Sequence, residues 1–156
     1  GYLWDEGEPK KAFDIAIKNS NKVAMSLSDL FCVERHKSSF LQLVKENLDI
    51  TFSNEQEIMS LLNTKKIEDV VEFSKNLKKL LVITRGEKGA LAIKDDTVVE
   101  CNAKKNLKLV DLTGAGDLFA AGFLHGYING KSLKESIEKG TEMSSKIIQI
   151  IGARIN

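Results

Sequence analysis

Apolar positions along this chain alternate between helical spacing and short continuous runs. Pro9 opens a first helix whose face is Ala12, Phe13, Ala16 and Ile17, and Lys22 to Leu27 follows as a short strand. Phe40, Leu41, Val44 and Leu48 mark a second helix, and Asp49 to Phe52 a second strand. Ser53 is placed to cap a helix carrying Ile58, Met59 and Leu62. Ile67, Val70, Val71 and Ser74 line the next helix, which leads into the strand Leu80 to Thr84. Leu91 to Lys94 and Val98 to Cys101 flank Asp95-Asp96-Thr97, a hairpin signal. The apolar run Leu107 to Val110 reads as a further strand, and the strongly apolar pattern from Leu118 as a buried helix. In the last helix, Leu133, Ile137, Met143 or Ser144, Ile147 and Ile151 recur at helical spacing.

Strands alternating with helices predict a parallel sheet packed between helices, an α/β/α sandwich with an antiparallel hairpin near one edge. In such sheets ligands bind beyond the carboxyl ends of the strands. Asn54, Thr84 and Asp111 each follow a predicted strand directly, so the pattern alone predicts that they converge on one edge of the sheet.

Bulk properties narrow the partners. A chain of 156 residues can bury a real core. Its net charge is +1 with 29% charged residues, and no basic stripe argues for nucleic acid. No apolar run is long enough to span a membrane, and no signal-peptide pattern stands at the start, so a cytoplasmic location is expected. Cys32 and Cys101 fit no motif and read as reduced thiols. His36 and His125 lack carboxylate or cysteine partners at ligand spacing and read as a surface and a helix-packing residue. Trp4, Phe119 and Phe123 read as core.

The chemistry concentrates in Asp111-Leu112-Thr113-Gly114-Ala115-Gly116-Asp117. Lying between the apolar run and the apolar helix, Gly114-Ala115-Gly116 falls at a helix N-terminus, where unpaired N–H groups and the helix dipole favour an anion. Two glycines let a phosphate approach the backbone. If Thr113 is the N-cap, Gly116 takes the position where Glu or Gln would complete a capping box, at a cost of about 1 kcal/mol relative to alanine. Asp117 beside an anion site suits proton abstraction during phosphoryl transfer better than it suits helix capping. Two familiar phosphate motifs are missing: no G-x-x-x-x-G-K-[ST] occurs, and Phe119 stands where a dinucleotide fingerprint needs Gly or Ala.

Asp111 to Asp117 resembles the second signature of the ribokinase-like (PfkB-type) family of sugar and nucleoside kinases, written D-T-x-G-A-G-D, with Leu112 in place of the common Thr. Asn54-Glu55-Gln56-Glu57 is similar to the family's N-x-x-E, and Thr84 to Ala90 to its T-x-G-x-x-G-A nucleotide-binding segment. Gly152-Ala153-Arg154 is similar to the Gly-Ala pair that closes the nucleotide site. That Arg, with Gly1-Tyr2-Leu3-Trp4-Asp5 and Ser26-Leu27-Ser28-Asp29, resembles the adenosine-kinase-like branch.

The resemblance implies an ATP-dependent kinase acting on a hydroxyl of a nucleoside or sugar. Asp117 would be the base and Gly114, Ala115 and Gly116 the anion hole. Asn54, Thr84, Gly86, Gly89 and Gly152 would bind nucleotide. Glu57 would meet Mg²⁺ through water, and Asp111 and Thr113 would belong to a loop that holds a monovalent cation, potassium in many members. It also implies that residues 1–156 form a single nucleotide-binding C-terminal portion, without the N-terminal half and lid, inactive alone and able to associate through an uncovered sheet edge. Two alternatives stand beside it: a non-catalytic nucleotide-binding module of the same fold, and a ribose- or fructose-type sugar kinase.

Overall fold

The computed structural model describes residues 9–155. The opening Gly1-Tyr2-Leu3-Trp4-Asp5, including the expected core residue Trp4, lies outside the described residues. Five strands form one mixed sheet in the order β1-β2-β3-β4-β5: β1 (Ala24–Ser26), β2 (Ile50–Asn54), β3 (Leu80–Thr84), β4 (Ala90–Lys94) and β5 (Thr97–Cys101). β1 and β2 run parallel, with Met25 opposite Thr51. β4 and β5 join through the two-residue turn Asp95-Asp96, and Asp95 takes the left-handed conformation (φ 52°) that such a turn requires. With its helices, this is the α/β architecture that the alternating pattern predicts.

The chain divides into two compact units, the first running through Ile83 and including Ile93–Val98, the second containing Thr84–Ala92 and the chain from Val99 onward. In the first, helix α1 (Pro9–Asn19) half-buries Phe13, Ala16 and Ile17. The segment read as one helix through Leu48 is more broken than the spacing suggests. A short helix α2 (Leu30–Arg35) precedes it, capped by Asp29, whose carboxylate accepts the Cys32 N–H at 2.9 Å. His36 interrupts with non-helical backbone (φ −114°). Helix α3 (Lys37–Gln42) then loosens into a π-helical turn, Leu43–Asn47.

Helices α4 (Glu55–Leu62) and α5 (Ile67–Leu77) complete this unit. Its core is Leu27, Val33, Phe40, Leu48, Ile58, Leu61, Val70 and the whole apolar run of β3. The cap of α4 is Asn54, the last residue of β2, and not Ser53, which the strand retains.

The second unit is built on α6 (Ala115–Ile128) and α7 (Leu133–Ile147). They approach closely because small residues line the contact. A Cβ at Gly122 would stand 2.8 Å from the Lys139 carbonyl, and one at Gly140 2.8 Å from the Phe119 carbonyl. Phe119 and Phe123 are buried, as expected, beside Ile137 and Ile147. The rest of α6 is less enclosed than its apolar sequence suggests, for His125 is exposed and Ile128 is 75% exposed.

Residues 107–110 do not form the expected strand. Their backbone is used differently: the Val110 and Asp111 N–H groups both donate to the Ile148 carbonyl at the end of α7. A helix end, with carbonyls otherwise unpaired, takes the place of a strand partner. The last helix correspondingly stops at Ile147, short of Ile151. Among the described residues, no helix is long and apolar enough to cross a membrane.

Candidate functional site

Helix α6 begins on glycine. Gly114 is the N-cap, in the left-handed region (φ 77°, ψ 3°), with no side-chain cap. Thr113, the residue the sequence suggests for that role, lies one position too early, and the helix starts three residues before Leu118. The Ala115 N–H donates to the Leu112 carbonyl at 3.1 Å, so of the three amides expected to form an anion hole, Ala115 is committed to a turn. The N–H groups of Gly114, Gly116 and Asp117 have no acceptor among the described residues, and they are the donors a phosphate would find.

The two glycines at this start have different reasons to be glycine. A Cβ on Gly114 would stand 2.9 Å from the Ala153 Cβ, and its φ is unfavourable for other residues. Gly116 has helical backbone, and nothing lies within 4 Å of where its Cβ would stand. That open space beside unpaired amides is the feature that fits a closely approaching phosphate. Asp117, at the third helical position, is exposed, and its carboxylate has no hydrogen-bond partner among the described residues.

Asp111 joins this loop to the chain's last segment. Its Oδ1 accepts the Thr113 N–H at 2.9 Å and the Thr113 hydroxyl at 2.7 Å, while its Oδ2 accepts the Gly152 N–H at 2.9 Å. These bonds, led by the Thr113 amide, hold the Asp111 carboxyl below the usual carboxylate range. Gly152 itself has φ 88° and open space around its Cβ position. The same unit holds the Thr84–Gly89 segment. Thr84 ends β3, a 3-10 turn spans Gly86–Lys88, and the Gly89 carbonyl accepts the Arg85 N–H at 2.8 Å. Gly89 is fixed by crowding, since a Cβ there would meet the Cys101 carbonyl at 1.9 Å, whereas Gly86 faces open space.

In the other unit, Asn54 and Glu57 form a closed arrangement. The Asn54 side chain accepts the Glu57 N–H at 2.8 Å, and Glu57 Oε2 accepts the Asn54 N–H at 2.9 Å, a complete capping box. Glu57 Oε1 takes the Asn54 amide at 2.6 Å, and Oε2 takes the Ser53 hydroxyl at 3.3 Å. The residue is 4% exposed, far from the surface helix start that an isolated N-x-x-E suggests. Burial pushes the Glu57 carboxyl up from its ordinary value, against the lowering effect of its hydrogen bonds with Asn54 and Ser53. No group of three or more His, Cys, Asp or Glu residues that could hold a metal ion occurs among the described residues. A carboxylate already accepting three donors suits contact with a metal-bound water better than direct coordination.

The second unit therefore brings together Asp111, Thr113, Gly114 and Gly152, through bonds and contacts between two segments some forty residues apart in sequence. Sequence reasoning missed the link from Asp111 to Gly152. Its only trace is an Asp ahead of one glycine loop and a second Gly-Ala pair near the chain's end.

A protein-family model described as pfkB family carbohydrate kinase matches residues 10–156. A cytidine kinase of Thermococcus kodakarensis is 34% identical over 116 residues, covering 72% of this chain and 41% of its own length. The crystal structure of an adenosine kinase from Sinorhizobium meliloti superimposes with a TM-score of 0.94 at 38% identity, covering 99% of this chain and 49% of that one. A probable sugar kinase from Rhizobium etli gives 0.91 at 39% identity, covering 98% and 48%. The chain thus spans about half the length of the proteins it matches.

Proposed function

This chain belongs to the pfkB family of carbohydrate kinases, and from that premise we propose that it supplies the phosphate-handling part of an ATP-dependent kinase whose acceptor is a nucleoside hydroxyl. The observation that carries the reading is the start of α6, with unpaired amides, open space at Gly116 and the unpartnered carboxylate of Asp117. The amides of Gly114, Gly116 and Asp117 would hold phosphoryl oxygens as charge develops on them. Asp117 would take the proton of the attacking hydroxyl, a role worth about 10²–10⁴ in rate. Thr84, Gly86, Gly89 and Gly152 would border the nucleotide.

Mg²⁺ would neutralise phosphate charge when bound. Glu57, steadied by Asn54, is the candidate to orient one of its waters. Asp111 carries the charge and the Thr113 hydroxyl the remaining lone pairs that a monovalent cation would use. A nucleoside is favoured by the Gly152-Ala153-Arg154 ending and by the names of the cytidine kinase and adenosine kinase relatives. The similarity to a probable sugar kinase keeps a sugar hydroxyl as the second reading.

Titrating ATP with Mg²⁺ into the isotopically labelled chain tests the phosphate site by NMR. We expect the amides of Gly86, Gly114, Gly116 and Asp117 to shift most, even when affinity is weak. Shifts confined to other residues, or none, overturn the reading.

A further inference from the structure

The α6 start has no side-chain cap, and beyond the Val110 and Asp111 amides on the Ile148 carbonyl its loop reaches the 152–153 segment through one carboxylate that uses its two oxygens for two different tasks. Oδ1 of Asp111 organises the loop locally through the Thr113 amide and hydroxyl. Oδ2 reaches 41 residues along the chain to the Gly152 amide. Next to this tie, Gly114 leaves room for Ala153, whose Cβ would be 2.9 Å from any Cβ added at Gly114. A bond and a steric fit thus join the same two segments at two nearby pairs of residues, 111 with 152 and 114 with 153.

We infer that Asp111 is a positioning residue, whose Oδ2 holds the 152–153 segment against the loop so that the α6 amides and the Gly152 turn meet a nucleotide as one preformed surface. The inference rests on the phosphate-site reading above and adds to it a task for Asp111 that needs no bound cation. Preforming the surface spares the nucleotide the cost of ordering two separate segments. The depressed Asp111 carboxyl agrees with this geometry, since the Thr113 and Gly152 donors favour the charged form that accepts all three bonds.

Asp111→Asn separates the two tasks. An asparagine oxygen can still accept from Thr113, but its amide cannot accept the Gly152 N–H. The measurement is hydrogen exchange at the Gly152 amide, combined with ATP·Mg²⁺ titration in potassium buffer and again with tetramethylammonium as the cation. The expected result is roughly tenfold faster exchange at Gly152 and a comparable loss of ATP affinity that persists with tetramethylammonium as the cation. Thr113→Val, which removes only a donor to Oδ1, should leave Gly152 exchange unchanged and shows whether disturbing the loop alone mimics the effect.

Unchanged Gly152 exchange in Asp111→Asn would overturn the tie. Faster exchange with unaltered ATP affinity would overturn the positioning role, and a loss of affinity seen only in potassium would overturn it too, leaving Asp111 with the cation role alone. A wild-type chain that shows no ATP-induced shifts would overturn the phosphate site and the positioning role together, and Gly152 exchange would then decide the tie by itself.

Discussion

Two helix starts in this molecule solve the same problem in opposite ways. At α4, Asn54 and Glu57 exchange backbone and side-chain bonds, Ser53 adds a third donor, and Glu57 is buried. At α6 the cap is a left-handed glycine without a side chain, and among the described residues three amides are left over and the exposed acid at the third helical position has no partner. Both have an acid at that third position, Glu57 in one and Asp117 in the other. One acid is turned back to seal the helix and the other is left available. Ordinary folding energetics favour the sealed form, so the open one is where stability has been exchanged for access.

The largest expected effect falls on the open start. In a polypeptide that turns over, Asp117→Asn should lower kcat by about 10²–10⁴ with thermal stability unaltered and nucleotide affinity within a few-fold. Wild-type kcat with saturating acceptor would make Asp117 a helix-dipole residue like many others.

Next comes the sealed start. Glu57→Ala leaves the Asn54 N–H and side-chain amide without their acceptor, while the Ser53 hydroxyl keeps the Asn54 carbonyl at 2.9 Å, and should cost about 1–3 kcal/mol in denaturant titration. Asp117→Ala in the same experiment should cost little. Equal losses would erase the distinction between the two starts.

The glycines of the open start sharpen the comparison further. Gly116→Ala should stabilise the chain by about 0.5–1 kcal/mol, because its backbone is helical and its surroundings are empty, while weakening ATP binding. Gly114→Ala should destabilise, since φ 77° and Ala153 both oppose a Cβ. A Gly116→Ala chain that is more stable and binds ATP as well as wild type would argue that the open space serves no ligand.

The smallest effect is in pH dependence, where Glu57 and Asp111 should act with opposite signs. Glu57 has a folded value raised above its ordinary 4.5, so its contribution is full below that value and declines as pH rises through the raised one. Asp111 has a folded value depressed below its ordinary 3.8, so its contribution is present above that value and is lost as pH falls through the lowered one. Denaturant midpoints of Glu57→Gln and Asp111→Asn against wild type, over roughly pH 3 to 8, should diverge from it at opposite ends of the range.

How legible these features are in sequence depends on how local they are. β3 could be read to the residue because Leu80 to Ile83 is a fully buried apolar run ending at Thr84. The hairpin is legible from Asp95-Asp96-Thr97, although Thr97 already belongs to β5 and β4 opens one residue earlier, at Ala90. Leu107 to Val110 has the same apolar character but is mostly exposed, and its amides serve a helix end, a distinction that periodicity does not carry. Helix α2 went unread because its six residues are too few to show a period and Phe31 within it is 77% exposed. For the candidate site, residue types and order pointed to the α6 start, but not to which amides it leaves open. The Ala115 amide depends on the Leu112 carbonyl, a detail of turn geometry rather than of composition.

The close fit of α6 against α7 has a mechanical consequence for the end that only a glycine caps. Unable to be anchored at its own first turn, the helix is gripped farther along, where Gly140 admits the Phe119 backbone with no clearance for a methyl group. Phe119 lies only two residues beyond Asp117, so the grip and the donors belong to the same rigid turn. A single added carbon on α7 would therefore act as a wedge under a short lever. It would tilt the amides and the carboxylate together, misaligning them without touching either.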